Sequence, residues 1–165
     1  MKIMRLALIA LIVPMAGACS VVSHDSSTQS CAGEFDLTEL REPLGSSVAL
    51  LAEMQRAKRD RQPARMEDLT RAAGWADGWD LMADVHSSTR EPVLNGLTQT
   101  PGYCWKDLPA VREPVPEGFY LFFKDRVPVQ RVDWRADSAP LNLRTGTTLT
   151  PQTQLAVSGP GLAPA

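Results

Sequence analysis

The side chains best suited to acid–base chemistry lie in one short stretch near the middle of the chain. Asp80 and Asp84 are four residues apart, so on a helix they would share a face, as a carboxylate pair for general acid–base catalysis requires. His86 follows them as a second titratable group. The competing interpretation is a solvated helix face opposite Leu81 and Val85. A small hydrolase using Asp80, Asp84 or His86 is therefore one alternative that the sequence leaves open.

The first 18 residues have the three-part organisation of a secretory signal. Lys2 and Arg5 form a positively charged start, and an unbroken apolar run extends from Leu6 to Val13. A span of the hydrocarbon core needs roughly 20 apolar residues, so this run is too short for a transmembrane helix. We therefore expect residues 1–18 to be a signal peptide.

The end of this segment carries a further signal. Ala16-Gly17-Ala18-Cys19 resembles the lipobox of bacterial lipoproteins, with alanine at the place where leucine is usual. The resemblance implies that Cys19 receives a lipid and becomes the mature N-terminus. The expected location is then the cell membrane, with the protein lipid-anchored and facing the extracytoplasmic side. Ala16 and Ala18 also fit ordinary signal peptidase, which would release a secreted protein without lipid.

Two cysteines, Cys31 and Cys104, remain once Cys19 carries the lipid. Two cysteines in an oxidising compartment most simply pair, and a bridge closing so long a loop is worth about 4 kcal/mol. The alternative makes Cys104 a nucleophile, which would need His86 as its base. The sequence predicts the disulfide.

Charge and motif content exclude several function classes. The chain has 165 residues, with 17 basic and 19 acidic side chains and a formal net charge of −2. Removing residues 1–18 takes away two of the basic residues and makes the balance more acidic, which gives no support to nucleic acid as a partner. The sequence contains no H-E-x-x-H, no C-x-x-C and no glycine-rich phosphate loop. We therefore expect no metal and no cofactor.

Composition divides the rest of the chain into three parts. Residues 19–32 are rich in hydroxyl groups and read as the lipidated N-terminus and a flexible tether. Residues 33–158 have the apolar content of a single folded domain, within a chain that is 44% hydrophobic and 22% charged. Residues 159–165, GPGLAPA, are typical of a disordered tail.

Hydrophobic spacing predicts the elements of the domain. Apolar residues at helical spacing between Pro43 and Pro63 predict a helix capped by Ser46 or Ser47, and a shorter helix follows Pro63. Residues 119–123 and 127–134 predict two paired strands, the first central because it is apolar on both faces. Pro128 places the second at a sheet edge or a bulge. The fold class is α+β, with two or three N-terminal helices packed on a small antiparallel β-sheet.

A possible binding surface follows from one concentrated run of positive charge and two nearby indoles. Its members are Arg56, Lys58, Arg59, Arg61, Arg65, Trp75 and Trp79. The cations could hold anionic headgroups or an acidic partner, or they could complement a helix end in solvent. The indoles, four residues apart, could stack on a ligand or could fill the core.

These features favour a membrane-anchored envelope lipoprotein whose domain is a non-enzymatic protein-interaction module. Such a module would bind, block or mask another envelope protein, in the manner of an immunity protein. The alternatives are the small envelope hydrolase and a carrier of a lipid or small ligand. The carrier requires an apolar cavity between the strand at residues 119–123 and the helices.

Overall fold

The computed structural model describes residues 30–86, 89–108, 117–135 and 137–165. The signal segment, Cys19 and nearly all of the expected tether lie outside these residues. The described chain has a mixed α+β fold with mostly antiparallel sheets. Its helices are α1 (Ser47–Asp60), α2 (Met66–Ala72) and α3 (Glu91–Thr98). Its strands are β1 (Gly33–Asp36), β2 (Ala64–Arg65), β3 (Leu81–His86), β4 (Tyr103–Lys106), β5 (Glu117–Lys124), β6 (Val127–Arg135), β7 (Thr148–Leu149), β8 (Gln154–Ser158) and β9 (Gly161–Pro164).

Helix α1 begins and ends with recognisable caps. The Ser46 side chain accepts a hydrogen bond from the backbone N–H of Ala49, which satisfies one of the free donors of the first turn. The helix ends at Arg61, whose backbone is left-handed with φ of 53°. The N–H groups of Arg61 and Gln62 close the last turn by donating to Lys58 and Ala57 carbonyls.

The largest sheet has four strands in the order β6-β5-β3-β7, all antiparallel. Strand β5 therefore lies inside the sheet and β6 at its edge, as the apolar pattern of β5 predicts. Asp125 and Arg126 form the two-residue turn between them, with φ of 51° and 63°. Positive φ at both positions defines the hairpin turn whose twist matches that of the strands.

A β-bulge divides the β5–β6 pairing. Phe123 pairs with Pro128, but Phe122 pairs with Gln130, so Val129 is an extra residue on the edge strand. Side chains alternate between the two faces of a sheet, so one extra residue moves every later side chain of β6 to the opposite face. Trp134 consequently stands opposite Gly118 rather than one position away from it.

The four-stranded sheet separates two hydrophobic cores. One face packs against α1, α2 and the small sheet of β2, β8 and β9. Its buried sheet residues are Met82, Tyr120, Phe122, Val132 and Leu149. The other face packs against α3 and the β1–β4 pair. Its sheet residues are Ala83, Val85, Phe119, Leu121 and Phe123. Strand β5 is covered on both sides, which explains its continuous apolar run.

The C-terminal segment is ordered, so the expectation of a disordered tail over residues 159–165 is wrong. Gly161–Pro164 forms β9, which pairs with β8 across a turn at Gly159 and Pro160. Leu162 is fully buried in the first core, and its N–H donates to the carbonyl of Pro140. Burial of Leu162 and the paired backbone offset the ordering cost that the glycine and proline content suggests.

A disulfide joins Cys31 to Cys104, which confirms that prediction. The two residues are 73 positions apart, and their Cα atoms are 5.6 Å apart. Cys104 lies in β4, which pairs in parallel with β1 directly after Cys31. The bridge therefore fixes the start of the described chain to its middle. Within the described residues, no helix has the length and apolar character needed to cross a membrane.

Candidate functional site

The segment that carries Asp84 and His86 is a strand, so the expected helix face does not exist. Leu81–His86 forms β3, and Asp80 lies just before it. Four residues of extended chain separate Asp80 from Asp84 by roughly 13 Å. Their carboxylates therefore do not form a pair, and the interpretation of Asp84 as a solvated side chain is also wrong, since only 8% of it is exposed.

Asp84 lies in a buried polar cluster on the first face of the sheet. The indole Nε1 of Trp134 donates a hydrogen bond of 3.2 Å to Asp84 Oδ1. Tyr120, the cross-strand partner of Asp84 on β5, is 1% exposed. The Tyr120 hydroxyl accepts a hydrogen bond from the backbone N–H of Leu141 at 3.4 Å. The cluster thus joins three strands to the loop that follows β6.

Burial makes Asp84 an unusual carboxyl group. Desolvation raises its pKa from 3.8 to about 6, while the nearby His86 and the hydrogen bond from Trp134 act in the opposite direction. Burial, together with the charge of Asp84, also raises the pKa of Tyr120 well above its ordinary value. Asp84 therefore exchanges its proton in the mildly acidic range. A carboxyl group with this pKa can transfer a proton. However, Asp80, the second carboxylate of the hydrolase hypothesis, is not part of this cluster.

Asp80 has a structural partner of its own. Its Oδ2 accepts a hydrogen bond of 2.6 Å from the backbone N–H of Asp125, in the turn between β5 and β6. Cys104 is bonded to Cys31 and so is not a free nucleophile. The hydrolase hypothesis therefore retains Asp84 and the half-buried His86 without the second carboxylate. In the ranges that the structure describes, no three metal-ligating side chains form a group that could hold an ion.

The two indoles of the expected binding surface belong to the core. Trp75 and Trp79 are each 6% exposed, so neither can stack on a ligand at the surface. Both pack edge-on against Phe122, with ring centroids 4.8 Å and 5.2 Å away. Trp75 Nε1 donates to the carbonyl of Ser46 at 2.9 Å. These side chains fill the space beside β5 in which the carrier hypothesis places a ligand.

The four arginines among the basic residues, in contrast, are exposed, and Lys58 is half-buried. We call the set Arg56, Lys58, Arg59, Arg61 and Arg65 the α1 basic surface. Arg56 pairs with Glu53 at 2.6 Å, and Arg65 pairs with Glu67 at 3.5 Å. For Lys58, Arg59 and Arg61, no ion pair occurs within the described part of the chain. These three cations surround the C-terminal end of α1, whose dipole favours them.

Sequence reasoning missed the residues that surround Asp84 and also Arg126, in the turn between β5 and β6. Trp134 could have been assigned to the face of Asp84 only by locating the bulge at Val129. Gly118, opposite Trp134, has no side chain, so the spacing of apolar residues does not reveal its place beside this cluster. Arg126 was missed because it lies in the two-residue turn between β5 and β6. Its left-handed backbone could not be predicted, since the sequence lacks the usual Asn-Gly pair there.

Comparison with known proteins identifies no relative of this chain. No protein-family model matches the chain, and no match is found among curated proteins or among solved structures.

Proposed function

We propose that this protein is a membrane-anchored lipoprotein of the bacterial envelope whose domain binds another envelope protein without catalysing a reaction. Residues 1–18 act as the signal peptide, and Cys19 carries the lipid. The lipid holds the chain at the cell membrane on its extracytoplasmic side. The domain blocks or masks its partner, and the helices of its N-terminal half, packed on the antiparallel sheet, present the binding surface.

The observation that carries this proposal is the group of cations at the end of α1. Lys58, Arg59 and Arg61 lie at one helix end and make no ion pair within the described residues, whereas Arg56 and Arg65 beside them are paired. Surface cations left without a carboxylate partner are available to an external one. An acidic protein surface fits them, because complementary charge speeds encounter and sets orientation.

The backbone of Arg61 supports the same conclusion. Its φ of 53° is a conformation in which glycine is strongly preferred at a helix end. Retaining a side chain there costs stability, and backbone strain of this kind concentrates at functional positions. This backbone conformation supports a role for the Arg61 guanidinium beyond its place at the helix end. The overall acidity of the chain, with 19 acidic and 17 basic residues, makes this basic surface a local exception.

The test is capture by cross-linking from native envelopes. We compare the wild type with Lys58→Gln/Arg59→Gln/Arg61→Gln and with the matched control Arg90→Gln/Lys124→Gln/Arg144→Gln, which removes the same charge elsewhere. One partner should be recovered with the wild type and the control, and lost with the first variant. The yield should fall as salt is raised.

A Cys19→Ala variant separates anchoring from recognition. It should lose the partner in intact envelopes but recover it when both proteins are solubilised and mixed. Equal capture by the two triple variants would show that the α1 basic surface is not the binding site. Failure to recover any partner, with the chain monomeric throughout, would contradict the interaction module itself.

A further inference from the structure

A groove of about 310 Å³ opens where the end of α3, the start of β3 and the β5–β6 turn meet. Its two charged side chains are Asp80, just before β3, and Arg126, in the turn. Leu81 and Leu97 supply apolar surface, and Gln99 supplies an amide. This volume is at the small end of the range for sites that hold small molecules, about 300–1,000 Å³.

Asp80 and Arg126 carry opposite charges in one groove, yet they do not pair. Within the described residues neither of them forms a salt bridge, with the other or with any further side chain. Oδ2 of Asp80 accepts from the N–H of Asp125, while Oδ1 has no hydrogen bond to the described protein. The groove thus presents one carboxylate oxygen and one guanidinium that form no salt bridge with each other.

Three residues at or beside the groove have a left-handed backbone, which costs stability for residues other than glycine. Arg126 and Gln99 both have left-handed backbones, with φ of 63° and 56°, and Asp125 between the two charges has φ of 51°. Glycine or asparagine would adopt these conformations more readily. Arg126 and Gln99 line the groove in these conformations, and backbone strain of this kind concentrates at ligand-binding positions.

The chemistry that would bridge the two charges is a small zwitterion. A ligand carboxylate matches the guanidinium of Arg126 in a bidentate pair. A ligand ammonium matches Oδ1 of Asp80, and the nearby C-terminal end of α3 also favours positive charge. An apolar side chain on the carbon that carries both charges would lie on Leu81 and Leu97. We propose that the groove between Asp80 and Arg126 binds a free α-amino acid with an apolar side chain, independently of the α1 basic surface.

The test is a titration of the ¹⁵N-labelled domain with L-leucine, followed by the backbone amide resonances of the groove. Two further probes each lack one charge: N-acetyl-L-leucine has no ammonium, and L-leucinamide has no carboxylate. Leucine should give saturable shifts at Leu81, Gln99 and Arg126. Each altered probe should bind at least about tenfold more weakly, because each loses one charge-assisted contact.

Variants assign the contacts to their side chains. Asp80→Asn keeps an oxygen for the N–H of Asp125 and should lose leucine binding, as should Arg126→Gln. Arg126→Gly also removes the guanidinium, and glycine suits the left-handed backbone of the turn. A loss of leucine binding in this variant would therefore not reflect misfolding. Arg144→Gln lies outside the groove and should bind like the wild type, as should the triple variant of the α1 basic surface.

Several results would overturn the proposal. They are the absence of saturable groove shifts up to about 10 mM leucine, equal binding of leucine and leucinamide, or unchanged binding by the folded Arg126→Gly variant. Because the triple variant of the α1 basic surface is measured in parallel, failure here is distinguishable from failure of the proposed function.

Discussion

Trp134 reaches Asp84 across an intervening strand. The hydrogen bond from its indole Nε1 to Asp84 Oδ1 is 3.2 Å long, although β6 and β3 are separated by β5. Gly118 makes this possible, because the indole lies where a side chain at that position would stand. A buried carboxyl group is thus held by an edge strand, and the arrangement depends on the bulge that turns Trp134 to this face.

The first prediction concerns the pH dependence of stability. The folded state raises the pKa of Asp84 from 3.8 to about 6, so between these values it binds a proton that the unfolded chain releases. The contribution of Asp84 to the free energy of unfolding should therefore fall as pH rises from about 4 to 6 and remain lower at neutral pH. Asp84→Asn keeps an acceptor for Trp134 and carries no charge. We expect it to raise stability at pH 7 by about 1–3 kcal/mol and to remove that decline.

Urea unfolding across the pH range measures this effect, with Asp77→Asn as the control at an exposed aspartate. The control should reproduce the wild-type pH profile. If Asp84→Asn destabilised the protein at pH 7, the carboxylate would be contributing favourable contacts that exceed its desolvation cost.

The second prediction tests the role of Gly118. A Cβ at this position would collide with the carbonyl oxygen of Val85 and would lie 2.5 Å from Cζ2 of Trp134. Gly118→Ala should therefore cost about 1–3 kcal/mol of stability and displace the indole from Asp84. Thermal unfolding measures the first effect, and the indole N–H resonance measures the second.

Gly96→Ala is the matched control for that substitution. Gly96 is inside α3, and a Cβ there would meet nothing within 4 Å. Alanine is the better helix former, so this change should stabilise the protein by up to about 1 kcal/mol. Equal effects of the two substitutions would mean that the space over Gly118 is not needed for Trp134.

Local patterns in the sequence predict α1, the β5–β6 hairpin and the disulfide. The apolar spacing between Pro43 and Pro63 predicts a helix there, and α1 occupies it with Ser46 as its cap. The hairpin of β5 and β6 follows in the same way from local pattern. The disulfide followed from the pairing of two cysteines in an oxidising compartment.

The remaining features depended on tertiary pairing. The segment from Asp80 to Asp84 includes Leu, Met and Ala, which suit a helix, but Leu81–His86 pairs with β5 along all six residues and forms a strand. The face of Trp134 depended on one extra residue at position 129. The C-terminal segment looked disordered by composition, yet Leu162 is buried against distant parts of the chain. No local pattern contains such information.

The third prediction concerns Gln130, which is fully buried in β6. Its Oε1 accepts from the N–H of Leu44 at 2.9 Å, and its Nε2 donates to the carbonyl of Gly45 at 2.8 Å. Gln130→Leu would leave both backbone groups without partners in the interior, so we expect a loss of about 2–4 kcal/mol in chemical unfolding. Gln55→Leu removes the exposed hydrogen bond to Ser138, which water can replace, and should change stability by less than about 0.5 kcal/mol. A similar small change for Gln130→Leu would contradict the role of this amide in fixing the entry to α1.

The fourth prediction separates stability from binding at the end of α1. Arg61 has φ of 53°, where glycine is favoured, so Arg61→Gly should raise the free energy of unfolding by about 0.5–1 kcal/mol. The same substitution removes one cation of the α1 basic surface and should weaken capture of the acidic partner.

Arg59→Gly is the matched control, because Arg59 lies inside the last helical turn, where glycine costs about 1 kcal/mol. Both variants lose one charge, so both should bind less well while their stabilities change in opposite directions. If Arg61→Gly proved less stable than the wild type, the arginine would be kept for the fold, and its backbone conformation would no longer support a binding role.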